Sequence, residues 1–315
     1  MTTAMITPVE EDPVDPKPIP EADKKGVNIG RILAWAFMIF IMAITLMPFY
    51  WIIRTAFSSN YGLMNHPTSL LPVDINMRGF ERVFGMQSCE EALKDNAACA
   101  SMNFWIYLRN SVIVATMITV GQVFFSSMAA YAFSRLRWPG RDRVFGIFLA
   151  SLMVPSIFTL LPNYVLINHL GLINTLIGIG LPTMLMTPFA VFFLRQFFMN
   201  IPRELEEAAL LDGASKIRSF FTLILPLAKA PIATLAILTY IGAWNDYMWP
   251  LMVAEDEHAR VLTVALAVFK SQSPNGTIDW SGLMAATLVA ALPMMIMFLF
   301  TAKKLVNSIG FNGIK

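Results

Sequence analysis

The sequence is short of charge. Only 14% of its 315 residues are Asp, Glu, Lys or Arg, where soluble domains carry roughly 25%. With 56% of residues hydrophobic, the chain has too little polar surface to clothe a soluble fold, so a membrane protein in contact with the lipid bilayer is expected. Cysteine is almost absent: Cys89 and Cys99 are the two in the chain. No zinc-ligand spacing occurs, and His66, His169 and His258 are scattered, so no metal site is expected. No Gly-x-x-x-x-Gly-Lys-Ser/Thr run occurs either, so the chain binds no nucleotide through a P-loop of its own. No basic-then-apolar secretory signal opens the chain, and the first apolar run is expected to serve as an uncleaved anchor. No catalytic residue and no nucleic-acid partner is expected.

What the sequence does have is long uncharged runs. Residues 33–53, 110–134 and 281–302 are each free of charge. Residues 230–253 are interrupted only by Asp246, and residues 144–194 hold no Lys, Arg, Asp or Glu. A crossing takes roughly 20 apolar residues, so 144–194 must cross twice. Its turn is expected between Asn168 and Gly171, or just after at Asn174. The reading is an all-α membrane protein with six transmembrane helices. Pro155 and Pro162 fall in the third span, Pro182 and Pro188 in the fourth, where proline kinks a helix and frees carbonyls.

Lys and Arg placement sets the orientation. With the N-terminus inside, sixteen of the 23 cations fall on the inner side, in residues 17–31, 135–143, 195–229 and 303–315. Arg54, Arg78, Arg82, Lys94, Arg109, Arg260 and Lys270 fall outside. Both termini are therefore expected in the cytoplasm, as in a multi-pass protein of a cell membrane. Residues 1–30, acidic and proline-rich, read as a disordered tail. Residues 31–315 read as one membrane domain. It has an outer loop at 54–109, a cytoplasmic loop at 196–229 and a C-terminal tail at 303–315. Cys89 and Cys99 both lie in the outer loop, where an oxidising environment permits a disulfide; the alternative is two free thiols in a loop helix.

The loop 196–229 interrupts the apolar pattern. A short helix is expected over 200–211, capped by Asn200, with Pro202 in its first turn and Glu204, Glu206 and Glu207 at its positive end. Ala208 and Ala209 allow another backbone to approach. Asp212-Gly213 ends the helix, as glycine does at this position, and Ser215 caps the next, which runs to Leu225-Pro226. A rigid helix, a sharp turn and a second helix make a shape that docks into a groove. The rival is an amphipathic helix on the inner leaflet, against which the acidic first turn argues, because that leaflet is anionic.

The stretch "EAALLDGASKIRSFFTLILP" (207–226) resembles the EAA motif of ABC importer permeases, with Leu223 in place of the usual isoleucine. "WNDYMWPL" (244–251) and the closing "ALPMMIMFLFTAKKLVNSIGFNGIK" (291–315) resemble the carbohydrate-importer branch, near the second permease subunit of maltose-type systems. The likeness spans about residues 31–315 and implies the type I ABC importer permease fold. It implies ATPase coupling through Glu207, Ala208, Ala209, Asp212, Gly213, Leu225 and Pro226. It also implies a C-terminal contact with the ATPase through Gly313 and Lys315, although tails of this branch usually end Gly-x-x-Lys-Gly. The implied partners are a second permease subunit, two cytoplasmic ATPase subunits that hold the ATP and magnesium, and an extracytoplasmic sugar-binding protein. This chain is expected to bind no cofactor and to be no enzyme.

Asp246 is the one acid in an expected span, and an intramembrane ionisable group is a functional candidate. In one reading Asn245 and Asp246 hydrogen-bond sugar hydroxyls while Trp244 stacks on the ring. In the other, Trp244, Tyr247 and Trp249 form an interfacial aromatic belt. Asn163 and Tyr164, beside Pro162, are further candidates for the path. The rival functions are an ABC permease for another solute such as glycerol-3-phosphate, and a stand-alone ion-coupled carrier. Against the first, no cationic cluster lies within the spans; against the second, no inverted repeat is evident.

Overall fold

A computed structural model describes residues 29–97, 102–271 and 278–310, and among them every regular element is helical. The helices are α1 (Ile29–Ala56), α2 (Asn60–Asn65), α3 (Arg78–Val83), α4 (Cys89–Lys94), α5 (Phe104–Arg135), α6 (Arg141–Ala150), α7 (Ser156–His169), α8 (Leu176–Met184) and α9 (Pro188–Met199). There follow α10 (Arg203–Leu211), α11 (Lys216–Ser219), a π-helical turn (Phe220–Ile224), α12 (Leu225–Leu227), α13 (Lys229–Asn245), α14 (Met248–Val253), α15 (Leu262–Ser271) and α16 (Trp280–Gly310). Cys99, Gly313 and Lys315 lie outside the described residues. The expected Cys89–Cys99 pairing and the C-terminal contact fall there too.

The chain divides into two compact units, Met1–Pro48 and Phe49–Lys315. The described part of the first is the opening of α1, whose side chains from Ile29 to Pro48 are all exposed. A helix apolar all round suits a lipid or protein environment rather than water.

The second unit is organised on α5, which packs against α8, α9, α13 and α15. Its buried positions recur every three or four residues: Phe104, Tyr107, Ser111, Val114, Ile118, Gln122, Ser126, Ala130, Ser134. Many are small or polar, as at helix interfaces within membranes, where close backbone approach replaces the hydrophobic drive. At Gly121 an added Cβ would lie 2.6 Å from the Met184 carbonyl oxygen, so glycine is what lets α5 and α8 touch. Gln122 donates to Thr187 Oγ1 at 2.8 Å. Each of three hydrophobic clusters takes residues from α5: Phe104, Tyr107 and Ala115 in one, Val114 and Ile118 in another, Ala130 and Tyr131 in the third.

Three helices are each long and apolar enough to cross a membrane: Ile29–Ala56, Phe104–Arg135 and Trp280–Thr301. Three pairs qualify only together. They are Arg141–Met153 with Ser156–His169, bent by 102°; Leu176–Met184 with Pro188–Met199, by 45°; and Lys216–Leu227 with Lys229–Asn245, by 79°. The crossings number three, or up to six if each bent pair is one span. Proline sets two of the breaks. Pro155 is extended at the start of α7 (ψ 135°), and Pro188 opens α9 behind Thr187, whose hydroxyl caps Ala190 N–H. Proline favours both places because it gives no N–H to the preceding turn.

Two local expectations are corrected. The helix expected through 230–253 stops at Asn245; Asp246 is extended (φ −65°, ψ 132°) and α14 starts afresh. An aspartate side chain competes for nearby backbone groups and is poorly suited to a helix interior. Asp246 sits at a helix break and not inside a continuous helix. The expected 200–211 helix begins at Arg203, with Pro202 at its N-cap, and Asn200 ends α9 instead.

Loops gather at the two ends of α5. At its Phe104 end, Asn110 donates to the carbonyls of His258 (2.7 Å) and Arg260 (2.9 Å). The same end holds a buried network. Arg82 lies between Asp279 (2.7 Å) and Asp95 (3.4 Å), all with side chains at most 2% exposed. Asn60 takes the Trp280 N–H at 3.0 Å and donates to Asn96. Asp95 and Asn96 thereby join α2 to α3, and Arg82 and Asn60 tie both to the start of α16.

Candidate functional site

The loop 200–216 sits at the other end of α5. Helix α10 ends at Asp212, whose N–H binds the Ala208 carbonyl at 3.1 Å. Gly213 follows at φ +81°, a conformation that only glycine adopts without cost. Ser215 then caps α11 by accepting from Arg218 N–H at 3.2 Å. The turn chemistry expected from Asp-Gly and from Ser215 is thus in place.

The consecutive glutamates of α10 have opposite surroundings. Glu206 is 6% exposed and pairs with Arg135 Nε at 3.5 Å. Glu207 is exposed, as are Glu204, Ala208 and Leu211, and Leu211 is 90% exposed. At 3.6 residues per turn, Glu204, Glu207, Ala208 and Leu211 share one face. That face holds carboxylates, a small residue and a bare leucine, while Glu206 and the half-buried Ala209 turn inward. An exposed apolar residue framed by charge on a short helix that ends in a fixed glycine turn is a surface suited to a protein groove. Beside it lies a cavity of about 640 Å³ lined by Arg135, Arg137, Trp138, Arg203, Glu206 and Glu207, among others.

The last turn of α5 holds this loop. Arg135, 9% exposed, donates to the carbonyl oxygens of Phe198 and Ile201 at the end of α9. One turn earlier, Tyr131 OH donates to the Lys216 carbonyl at 3.2 Å, and its ring meets Phe220 at 5.1 Å. In the sequence Glu206 reads only as one of three acids at the positive end of the helix and Arg135 only as an inner-side cation, and nothing marks Tyr131. The doubled glutamate 206–207 is the available signal, since neighbours on a helix point in different directions.

The remaining sequence candidates are dispersed. Leu225 packs into the cluster with Phe198, Phe220 and Ile224, and Pro226 is exposed at the 79° bend. Trp244 is 7% exposed and stacks on Tyr240 at 6.1 Å within the hydrophobic core. Asn245 is exposed and bonds back to the Ile241 carbonyl. Thr263 Oγ1 donates to the Asp246 carbonyl at 2.7 Å. Asn163 is half-buried on α7, and Tyr164 OH meets Glu255 at 3.4 Å. Among the described residues no hydrogen bond joins the Trp244–Asp246 group to Asn163 or Tyr164. Among them, too, no group of three His, Cys, Asp or Glu side chains is placed to hold a metal ion.

Comparison with known proteins agrees with this arrangement. Residues 122–309 match the family described as binding-protein-dependent transport system inner membrane component. A trehalose/maltose transport system permease protein of Thermococcus litoralis is 32% identical over 288 residues, 91% of this chain and 98% of that protein. An sn-glycerol-3-phosphate transport system permease protein of Salmonella typhi is 31% identical, covering 91% of this chain and 97% of its own. A diacetylchitobiose uptake system permease protein of Streptomyces coelicolor is 29% identical over 278 residues, covering 88% and 86%. The fold matches a chain of a bacterial ABC transporter involved in the import of the acidic polysaccharide alginate, with TM-score 0.73 at 22% identity, covering 87% of this chain and 96% of that one. These relatives are transport subunits and not enzymes. The chain belongs to the inner membrane components of binding-protein-dependent transport systems, the permease subunits of ABC importers.

Proposed function

We propose that this chain is one of two permease subunits of a sugar importer, forming half of the translocation path. Two ATPase subunits that bind ATP and magnesium drive it from the cytoplasm, and an extracytoplasmic sugar-binding protein delivers the solute. Both termini and the α10 loop face the cytoplasm. The α10 helix seats in a cleft of the ATPase: Glu207 meets a basic residue there, Ala208 allows close approach, and Asp212-Gly213 fixes the angle of entry. Closure of the ATPase pair on ATP then draws the loops together and switches the spans between inward-facing and outward-facing states.

The observation that carries this reading is the split of the glutamate pair. Glu206 serves the chain's own fold, while Glu207 stands on an exposed face with Ala208 and Leu211. The sugar assignment rests on the trehalose/maltose and diacetylchitobiose permeases among the relatives. The glycerol-3-phosphate permeases among them keep a phosphate ester as the second reading. Against it, the buried guanidinium groups are engaged: Arg54 with the Leu71 and His66 carbonyls, Arg82 with two carboxylates, Arg135 with α9 and Glu206. Asn163, Tyr164, Asn245 and Asp246 remain candidates for the path, with Trp244 behind them.

The first test is purification of the tagged chain from its native membrane with whatever accompanies it. A P-loop ATPase and a second permease are expected to co-purify, and a homo-oligomer without an ATPase would overturn the assignment. In the purified complex, Glu207→Lys is expected to cut uptake per ATP hydrolysed about tenfold or more. Normal uptake in that variant would remove α10 from the docking role.

A further inference from the structure

We propose that Tyr131 and Arg135, on the last turn of α5, are positioning residues that carry the movement of the α10 loop into the core of the permease. This rests on the docking of α10 proposed above. By connectivity alone, α10 can push only on α9, before it, and on α11, after it. The side chains give it a third attachment. Tyr131 and Arg135 lie four residues apart, on one face of α5. Arg135 holds the end of α9 through the Phe198 and Ile201 carbonyls, and holds α10 itself through Glu206. Tyr131 holds the start of α11 through the Lys216 carbonyl. One turn of α5 therefore grips the loop before, within and after α10.

Burial makes these contacts stiff. The Arg135 and Glu206 side chains are 2% and 8% exposed, so their separation would strand charge away from water. Nη2 of the guanidinium donates to both carbonyls while Nε faces the Glu206 carboxylate at 3.5 Å as an ion pair, a planar spread of charge that a compact ammonium does not reproduce. The receiving element contributes buried residues to all three hydrophobic clusters. A displacement that moves α5 therefore reaches α8, α9 and α13 together. A displacement that moves only α9 and α11 can be absorbed at the π-helical turn 220–224 and the 79° bend beyond it.

The test uses the complete importer reconstituted in vesicles, with its co-purifying ATPase, second permease and solute-loaded binding protein. Uptake and ATP hydrolysis are measured per assembled complex for Tyr131→Phe, Arg135→Lys, Glu206→Gln and Glu207→Lys. Tyr131→Phe keeps the ring on Phe220 and removes one hydrogen bond; it is expected to lower uptake per ATP about threefold. Arg135→Lys and Glu206→Gln are expected to lower it about tenfold in complexes that still assemble. Arg135→Ala serves as the reference that Arg135→Lys should partly rescue. A merely structural role would reduce the yield of complex and leave the ratio unchanged. If Glu207→Lys uncouples and the three other variants keep the wild-type ratio, docking stands and the α5 grip is overturned. If Glu207→Lys also keeps it, both are overturned, because coupling then does not pass through α10.

Discussion

Arg82 sits between two buried carboxylates, of which Asp95 also has the half-exposed Arg78 at 3.9 Å while Asp279 has Arg82 alone among the described ion pairs. Asp95 and Asp279 have side chains 1% exposed, and Ser281 Oγ receives a further Arg82 N–H. Removing one partner of a buried ion pair costs about 3–5 kcal/mol, because the remaining charge has no solvent. Arg82→Ala is therefore expected to lower the thermal midpoint of the detergent-solubilised protein by several degrees. Replacing Asp279 by Asn in the same chain should recover part of the loss, because less charge is then left unpaired. A midpoint equal to wild type would show that water reaches the site. In the sequence Arg82 read as one of seven outer cations, and no local pattern linked it to Asp279 almost two hundred positions away. Glu206 was hidden in the same way. Its neighbour Glu207 carries the motif, and only the packing of α10 on α5 separates their roles.

At the scale of elements, the turn after α10 is legible from residues alone. Gly213 lies at φ +81° and its N–H binds the Leu210 carbonyl at 3.0 Å. Proline is locked near φ −65° and has no N–H, so Gly213→Pro should re-aim α11 where the loop enters the bent pair Lys216–Leu227 and Lys229–Asn245. Expected are normal membrane insertion and loss of coupled uptake, checked by surface labelling and by vesicle transport. Unchanged uptake would show that the angle of the turn carries no function. The spans were less legible. Their apolar runs and a kink at Pro155 were evident, but the 102° size of that bend and the end of α13 at Asn245 were not. Hydropathy measures length and composition, whereas a break is a matter of backbone conformation. Asp246 is extended between α13 and α14, and a hydropathy window has no means of registering that.

For the whole molecule, the segregation of loops to the two ends of α5 makes sidedness testable. With the N-terminus inside, the 135–143 turn faces the cytoplasm and the 54–109 loop faces out. In a chain with Cys89 and Cys99 replaced by serine, a membrane-impermeant thiol reagent should label Met86→Cys only in right-side-out vesicles. It should label Arg137→Cys only in inside-out ones. Both positions are exposed. Labelling of both from one side would overturn the alternation of loops.

The sequence alone determined that this is a helical membrane protein with a short polar helix ended by Asp212-Gly213. Those properties follow from local composition, periodicity and turn chemistry, which neighbouring residues suffice to express. Only the tertiary structure decided which glutamate is presented and which is consumed, and which helix the loop is tied to. It also decided that a loop insertion and the start of α16 share one buried arginine. These are contacts between residues dozens to hundreds of positions apart. Their energy comes from desolvated charges that meet only once the helices have packed.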